Sequence, residues 1–148
     1  MVRKAELVQL KGMFFEEMGE HDESLNLYNQ ANKIFKKLKL LKQIAISNQK
    51  IPHIIRLKGD RDKSMEILKE TLPISEKSQS RKAISSVIGS IGVILWLMGQ
   101  HKESLKYTEK SLEIVKEMGN KRSYARVLNN IGSVHYMLGE LNLSQDYY

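Results

Sequence analysis

Apolar residues recur along the chain at helical spacing. Between positions 82 and 99 they follow one another at steps of three and four residues, at Val87, Ile88, Ile91, Ile94, Leu95 and Met98. This spacing is typical of a helix that buries one stripe of its surface. Leu105, Leu112 and Val115 continue the stripe in a second helix, which we expect to stop near Gly119. The strict alternation that half-buried strands show is missing, so the pattern predicts an all-α chain.

A glycine recurs every 40 residues, at Gly19, Gly59, Gly99 and Gly139, and each is followed five positions later by a serine, at Ser24, Ser64, Ser104 and Ser144. A fixed period between about 20 and 50 residues is the signature of a protein built from stacked repeats. We therefore predict a single domain, 1–148, of consecutive helix pairs with turns at these glycines. The repeats are at about 1–40, 41–80, 81–120 and 121–148, and the last one is incomplete.

The repeats share a second pattern. Their first helix carries an apolar residue, two spacers, an apolar-Gly pair, two spacers and a large residue, at Ile88, Ile91, Gly92 and Leu95 and again at Leu128, Ile131, Gly132 and His135. Gly12 and Phe15 supply the glycine and the large residue of this pattern in the first repeat. In the second helix a small residue precedes an aromatic by four positions, at Ser24 and Tyr28 and at Ser144 and Tyr148. This pattern resembles the tetratricopeptide repeat over nearly the whole chain, about three and a half units. The resemblance implies a right-handed superhelical solenoid of antiparallel helix pairs.

The chain departs from the common 34-residue repeat in two ways. The proline that closes that unit is replaced by Lys36, Glu76 and Lys116. The chain is therefore similar to the variant with about six extra residues per repeat, found in kinesin light chains, spindle-orientation adaptors and bacterial peptide-sensing regulators. In addition, in the second repeat Pro52 replaces the expected glycine, Asn48 replaces the apolar residue before it, and Pro73 lies in the second helix. Because proline removes a helical hydrogen bond, we expect a kink in this repeat.

The resemblance also implies a function, the capture of a peptide or helix of a partner protein in the concave groove formed by the first helices. The family's inward positions correspond here to Gln9, Met13, Glu16, Glu17, Gln49, Lys50, His53, Arg56, Ser86, Ser90, Val93, Trp96, Arg126, Asn129, Asn130, Ser133, Tyr136 and Met137. Asparagine and glutamine amides can pair with the backbone of an extended ligand. Trp96 and Tyr136, one period apart, either form an aromatic pair on this surface or pack against neighbouring helices.

One specialisation of the family is excluded by residue type. Its chaperone-binding members hold two carboxylates with cationic and amide side chains. The corresponding residues here are Gln9, Met13, Lys50, Ser86 and Ser90, of which only Lys50 is charged.

The net charge of +7 is concentrated in one region, since residues 33–63 hold ten Lys or Arg and two Asp. Its densest part is a basic patch of Lys33, Lys36, Lys37, Lys39 and Lys42, interleaved with apolar residues. Three interpretations stay open for this patch. The first two are a solvated helix face and a surface that binds an acidic partner protein. The third is the alternative function, a surface that binds nucleic acid or anionic membrane, and we do not expect it.

Catalytic chemistry has little basis in the sequence. The chain has no cysteine, its four histidines lack metal-ligand spacing, and it contains neither a phosphate-binding loop nor a nucleophile elbow. We therefore expect no enzyme activity, metal or cofactor. The longest apolar run, residues 93–98, is far below the roughly 18 residues that a membrane span requires, so we expect a cytoplasmic protein.

The incomplete fourth repeat generates one more expectation. Its second helix should start near Leu141, and it would leave Leu138, Leu141, Leu143, Tyr147 and Tyr148 partly open. An uncapped repeat of this kind exposes apolar surface. We therefore expect the chain to be part of a longer array or to self-associate through this unit.

Overall fold

The computed structural model describes residues 1–147, which form helices and contain no strand. The helices are α1 (Val2–Glu17), α2 (His21–Lys37), α3 (Leu41–Leu57), α4 (Arg61–Lys77), α5 (Arg81–Leu97), α6 (His101–Glu117), α7 (Lys121–Met137) and α8 (Leu141–Asp146). The prediction of an all-α fold made of helix pairs is therefore confirmed. None of the described helices is both long and apolar enough to cross a lipid bilayer.

Every helix from α1 to α7 is followed by a residue in the left-handed region of backbone space. The glycines at these positions are Gly19, Gly59, Gly99, Gly119 and Gly139, with φ between 65° and 96°. Their amide groups close the preceding helix, for example from Gly19 N to Glu16 O at 3.1 Å. Lys39 and Gln79 occupy the same position with φ of 53°. The turns therefore recur every 20 residues, and the predicted glycine period of 40 marks every second turn.

A buried serine ties the second helix of each pair to the first. Its Oγ donates to the backbone carbonyl twelve residues earlier, from Ser24 to Gly12 (2.8 Å), Ser64 to Pro52 (2.7 Å), Ser104 to Gly92 (2.7 Å) and Ser144 to Gly132 (2.9 Å). Since a buried hydroxyl needs a partner, these serines fix where the two helices meet. We refer to these four contacts as the serine bridges.

The second repeat keeps this geometry despite its two prolines. Pro52 lies inside α3 and Pro73 inside α4, and neither ends its helix. Pro52 still accepts the bond from Ser64. Asn48, which replaces an apolar residue, is buried and accepts a 2.6 Å hydrogen bond from Asn32 Nδ2 of α2. The buried amide pair thus replaces an apolar contact between α2 and α3.

The chain forms two compact units, residues 1–83 and residues from 84 onwards. In the first unit, Ala5, Ala31, Phe35 and Ile44 form one buried cluster, and Tyr28, Ile51, Ile54 and Ile55 form another. In the second unit, Val115 of α6 packs with Val127 and Ile131 of α7. Val115 belongs to a predicted stripe, and the clusters anchor α1, α3 and α7, the first helices that carry most of the predicted groove residues.

The close contact between α5 and α6 at Gly92 generates a testable prediction. A Cβ added at Gly92 would lie 2.8 Å from Cγ2 of Thr108, whose Oγ1 is held by the carbonyls of Ser104 and Leu105 at 2.9 Å each. We expect Gly92→Ala to lower the free energy of unfolding by about 1–3 kcal/mol, because the Thr108 methyl group cannot move away from the added Cβ. Urea denaturation measures this loss.

Two further variants control that experiment. Thr108→Ser removes the opposing methyl group, so the double variant should recover part of the stability lost in Gly92→Ala. At Gly12 the nearest atoms to an added Cβ are 3.4 Å away, so Gly12→Ala should change stability by less than about 1 kcal/mol. Equal effects of alanine at Gly12 and Gly92 would show that the helices are not closely packed at Gly92.

Candidate functional site

Every residue that the sequence places in the groove has an accessible or partly accessible side chain. Of the α1 and α3 residues, Gln9, Gln49, Lys50 and Arg56 are half-buried, whereas Met13 and His53 are exposed. In the second unit the half-buried residues are Ser90, Val93, Trp96, Asn130 and Ser133, and the exposed ones are Arg126, Asn129 and Tyr136. All of them are therefore on the surface, and their contacts differ between the two units.

In the first unit these positions are tied together by the carboxylate of Glu16 on α1. Tyr28 OH of α2 donates to it at 2.6 Å, and Lys50 Nζ of α3 lies 3.2 Å away. His53 Nε2, one helical turn beyond Lys50, is 3.7 Å from the same carboxylate. We call this group of four side chains the Glu16 cluster. Sequence reasoning placed Glu16 in the groove and missed the cluster, whose members come from three helices.

Two pKa values reflect this arrangement. Burial, followed by the hydrogen bond to Glu16, raises the pKa of Tyr28 far above its usual range, so the phenol stays protonated and donates. Partial burial, followed by the cation of Arg56, lowers the pKa of His53, while the Glu16 charge opposes that change. Nδ1 of His53 lies 3.1 Å from Arg56 Nη2, which fits a neutral ring that accepts at Nδ1. The α1–α3 surface is therefore already occupied by internal ion pairs and hydrogen bonds.

The second unit instead contains a cavity of about 100 Å³. Four of its lining residues are predicted groove residues, Val93, Trp96, Asn130 and Ser133. The others are Gly92, Ser104, Thr108 and Val134. Residues of α5, α6 and α7 therefore meet around one opening. Ser104 and Thr108 were not predicted as part of this site.

Two polar groups at this cavity lack partners within residues 1–147. The indole Nε1 of Trp96 is buried and has no hydrogen-bond acceptor there. Asn130 is half-buried, and none of the described residues bonds to its amide. An unpaired buried donor costs about 1–3 kcal/mol, so the site favours an incoming acceptor.

The neighbouring predicted residues contribute differently. Asn129 does not line the cavity, and its carbonyl accepts from Ser133 Oγ at 3.0 Å. Tyr136 is 61% exposed. The ring contacts found in residues 1–147 are Phe14 with Phe15 and His135 with Tyr147, so Trp96 and Tyr136 do not form the aromatic pair considered from the sequence.

The basic patch surrounds the turn between α2 and α3. Its five lysines, Lys33, Lys36, Lys37, Lys39 and Lys42, are all exposed. Three of the apolar residues between them face the core, with Phe35 fully buried and Ile34 and Leu40 packed against the same cluster, whereas Leu41 is 39% exposed. Lysines in the last turn of α2 also complement its helix dipole. The patch therefore offers five exposed charges and one exposed leucine.

At the fourth repeat, α8 exposes Leu141 and Leu143, by 56% and 47%. Tyr147 stacks on His135 of α7 with ring centroids 5.4 Å apart, which covers one of the side chains that were expected to be open. Tyr148, also named in that expectation, lies outside the described residues.

The lowered pKa of His53 predicts a pH dependence of stability. The folded state binds the proton less well than the unfolded chain, whose histidine pKa is about 6.5. The contribution of His53 is therefore complete above about pH 6.5 and is lost as the pH falls towards the folded-state value. The effect is modest because the ring is half-exposed.

His53→Gln tests this dependence. Urea denaturation at pH 7.5 and 5.5 should show a smaller loss of stability on acidification in the variant than in the parent chain. An equal or larger loss in the variant would assign the acid sensitivity to other groups.

Two models of the tetratricopeptide repeat match the chain, one over residues 83–148 and one over residues 5–37. A comparison with curated protein sequences found no match. Solved structures, by contrast, share the fold at low sequence identity.

Aspartyl phosphate phosphatase F from Bacillus subtilis has a TM-score of 0.90 at 15% identity, over 99% of this chain and 38% of its own. The Rap conjugation gene regulator of plasmid pLS20, solved with the Phr* peptide, has a TM-score of 0.78 at 18% identity, over 97% of this chain and 40% of its own. A putative kinesin light chain from P. anserina has a TM-score of 0.80 at 13% identity, over 99% of this chain and 72% of its own.

The chain spans less than half the length of the phosphatase and of the Rap regulator. At these identities the likeness shows the fold alone. The two family models together match well over half of the residues, and they describe the same repeat that the serine bridges and the 40-residue period define. The chain therefore belongs to the tetratricopeptide repeat family.

Proposed function

We propose that the chain is a protein-interaction module that binds a peptide segment of a partner protein at the cavity beside Trp96. The observation that carries this proposal is the indole Nε1, unpaired within residues 1–147, in the wall of a cavity of about 100 Å³. A peptide supplies both of the complementary features, an apolar side chain for the cavity and backbone carbonyls as hydrogen-bond acceptors.

The size of the cavity favours a single side chain. Sites for drug-sized molecules and cofactors usually measure about 300–1,000 Å³. The cavity here holds about 100 Å³, and Val93, Val134 and Gly92 give it an apolar wall. An aliphatic or small aromatic residue of a bound peptide fits such a space better than a cofactor does.

The polar groups would orient the peptide. Trp96 Nε1 is a donor only, whereas the Asn130 amide offers both a donor and an acceptor. Together they can bind the backbone carbonyl and the backbone N–H that flank an anchored side chain of the peptide. Asn130 would thus hold the ligand backbone while the cavity selects its side chain.

The lining residues also favour binding over catalysis. None of them carries a carboxylate, an imidazole or an amine. The Ser104 and Thr108 hydroxyls donate to backbone carbonyls and have no neighbouring base at the cavity. No group of His, Cys, Asp and Glu side chains in residues 1–147 could hold a metal ion.

The comparisons support a peptide as the ligand. One solved structure with this fold, the Rap regulator of plasmid pLS20, contains the Phr* peptide. That complex concerns a protein of 18% identity, so we transfer only the class of ligand to this chain.

Selection from a phage-displayed library of random linear peptides tests the proposal. Enriched peptides should change the emission of Trp96, which is the chain's one tryptophan. Asn130→Ala should weaken their binding by about 0.5–1.5 kcal/mol for the lost hydrogen bond, which is about 2- to 13-fold in Kd. Asn129→Ala is the matched control, and it should leave Kd within about twofold because Asn129 lies outside the cavity.

Ionic strength separates this site from the basic patch. Binding through counterion release would weaken steeply as salt rises, whereas binding at the Trp96 cavity should change little. Peptides that leave Trp96 emission unchanged, or that bind the Asn130→Ala and Asn129→Ala variants equally, would show that the ligand uses another surface.

A further inference from the structure

Helix α7 concentrates positive charge without any carboxylate. It carries Lys121, Arg122 and Arg126, and no Asp or Glu. The second helices α4 and α6, in contrast, each carry four Lys or Arg and four Asp or Glu. In the 40-residue register Arg126 corresponds to Ile46 and Ser86, so the repeat itself does not require a cation at this position. The positive charge of α7 is therefore a local feature and not a property of the fold.

Two of these cations lie beside the Trp96 cavity. Arg126 is four residues before Asn130, which lines the cavity, so it lies about 6 Å from Asn130 along the helix axis and on the same face. Arg122 lies one further turn away, at about 12 Å. Lys121 is nine residues before Asn130, which places it on the opposite side of α7. All three are exposed, and we call Arg122 and Arg126 the arginine pair.

No carboxylate in residues 1–147 forms an ion pair with the arginine pair. Helix α5 has no Asp or Glu, and its cations Arg81 and Lys82 already interact with other groups. The carboxylates of α6 are all exposed, and they lie roughly 100° or more around that helix from its buried stripe. They are Glu103, Glu109, Glu113 and Glu117.

The acidic residues near the other end of α7 are also on the far side. Helix α8 packs against Gly132 and His135 of α7, which lie on the side opposite Asn130. Asp146 belongs to α8, and Glu140 in the turn before it accepts a 2.6 Å hydrogen bond from Nδ1 of His135. The described neighbours of α7 therefore leave the arginine pair without a counter-charge.

The first unit shows how this fold neutralises a cation at a predicted groove position. Lys50 of α3 lies 3.2 Å from the Glu16 carboxylate of α1, so the chain itself supplies the counter-charge. For the arginine pair, a carboxylate of a ligand would take the place of Glu16. Arginine suits this role because its planar guanidinium binds a carboxylate through two parallel hydrogen bonds.

From this charge distribution we infer that the peptide bound at the Trp96 cavity is acidic, which rests on the proposed function. We call the residue whose side chain enters the cavity the anchor. An extended peptide advances about 3.3 Å per residue and directs every second side chain to the same side. Two residues from the anchor it has covered about 6.6 Å, and four residues from it about 13 Å. These lengths match Arg126 and Arg122, so the carboxylates lie two and four residues to one side of the anchor.

The arginine pair adds specificity more than affinity. Exposed ion pairs contribute little to binding, and salt screens them. The anchor in its cavity is not charged, so its own contribution changes little with salt. Peptides with the same anchor are therefore ranked by their flanking charges, and basic flanks are disfavoured.

A library of nine-residue peptides tests the inference. Leucine is fixed at the fifth position, tryptophan is omitted, and both ends are blocked so that terminal charges do not contribute. Peptides selected on the full chain should be enriched in Asp or Glu at the positions two and four residues to one side of the leucine. The positions one and three residues away should show no such preference, because their side chains point away.

Variants of α7 assign the preference to its residues. Arg126→Gln should remove the preference two residues from the leucine, and Arg122→Gln the preference four residues from it. Each should weaken the binding of a selected peptide by about 1.4- to 5-fold in Kd, the range for an exposed ion pair. Lys121→Gln is the matched control, because it removes the same charge from the opposite side of α7 and should leave Kd unchanged. Circular dichroism should stay unchanged in all three variants because the residues are exposed.

Charge reversal tests the pairing directly. Arg126→Glu should weaken the binding of a selected peptide, and lysine in place of the carboxylate two residues from its leucine should restore it. The same lysine peptide should bind the parent chain less tightly than the acidic peptide does. Raising the salt concentration should reduce the difference between the acidic peptide and its glutamine counterpart.

The outcomes separate this inference from the proposed function. Selected peptides that change Trp96 emission without an acidic preference would overturn the inference and leave the proposed function intact. An acidic preference that Lys121→Gln removes as fully as Arg126→Gln would also overturn it. Acidic residues confined to the positions three and four residues from the leucine would indicate a helical ligand and exclude the extended arrangement. If no selected peptide changes Trp96 emission, the proposed function fails and the inference fails with it.

Discussion

The hydrogen bond from a buried serine to a carbonyl of the facing helix determines how closely each helix pair packs. A serine can reach that carbonyl only if the backbones approach closely, and the receiving residue is glycine in three of the pairs and Pro52 in the second. At Gly92 the opposing Thr108 methyl would be only 2.8 Å from an added Cβ. The apolar stripes supply the favourable burial, whereas the serine and the glycine set the distance and the register between the two helices.

The same constraint explains why the sequence predicted the fold well. Glycine and serine recur because a tight turn and a close contact between helices recur, and both of these features depend on backbone geometry. Turns at Lys39 and Gln79 were less visible, because a lysine or glutamine in left-handed conformation leaves no distinctive mark in composition. The kink expected from the prolines of the second repeat stays a prediction, and α3 and α4 continue as helices through both prolines.

The candidate site was only partly predictable. Register placed Trp96 and Asn130 on the same surface, because that depends on helical periodicity. Register could not show that the Glu16 carboxylate contacts Tyr28, Lys50 and His53, since these contacts depend on side-chain rotamers in three helices. Register also could not show that the Trp96 indole lacks a hydrogen-bond partner beside a cavity, because a cavity depends on how the surrounding side chains pack. The predicted groove positions consequently differ in chemistry between the two units although these share a repeat, since Lys50 pairs with Glu16 in the first and the Trp96 indole is unpaired in the second.

The chain tolerates an inserted residue better in its turns than within its helices. An added Cβ at Gly19, Gly59, Gly99, Gly119 or Gly139 would meet no atom within 4 Å, so the backbone there borders open space. One residue inserted within a helix would rotate every later side chain by about 100° and turn the apolar stripe out of the core. The same residue inserted in a turn would leave the helices on both sides in place. The turns are therefore the natural points at which to attach a reporter group or graft a loop.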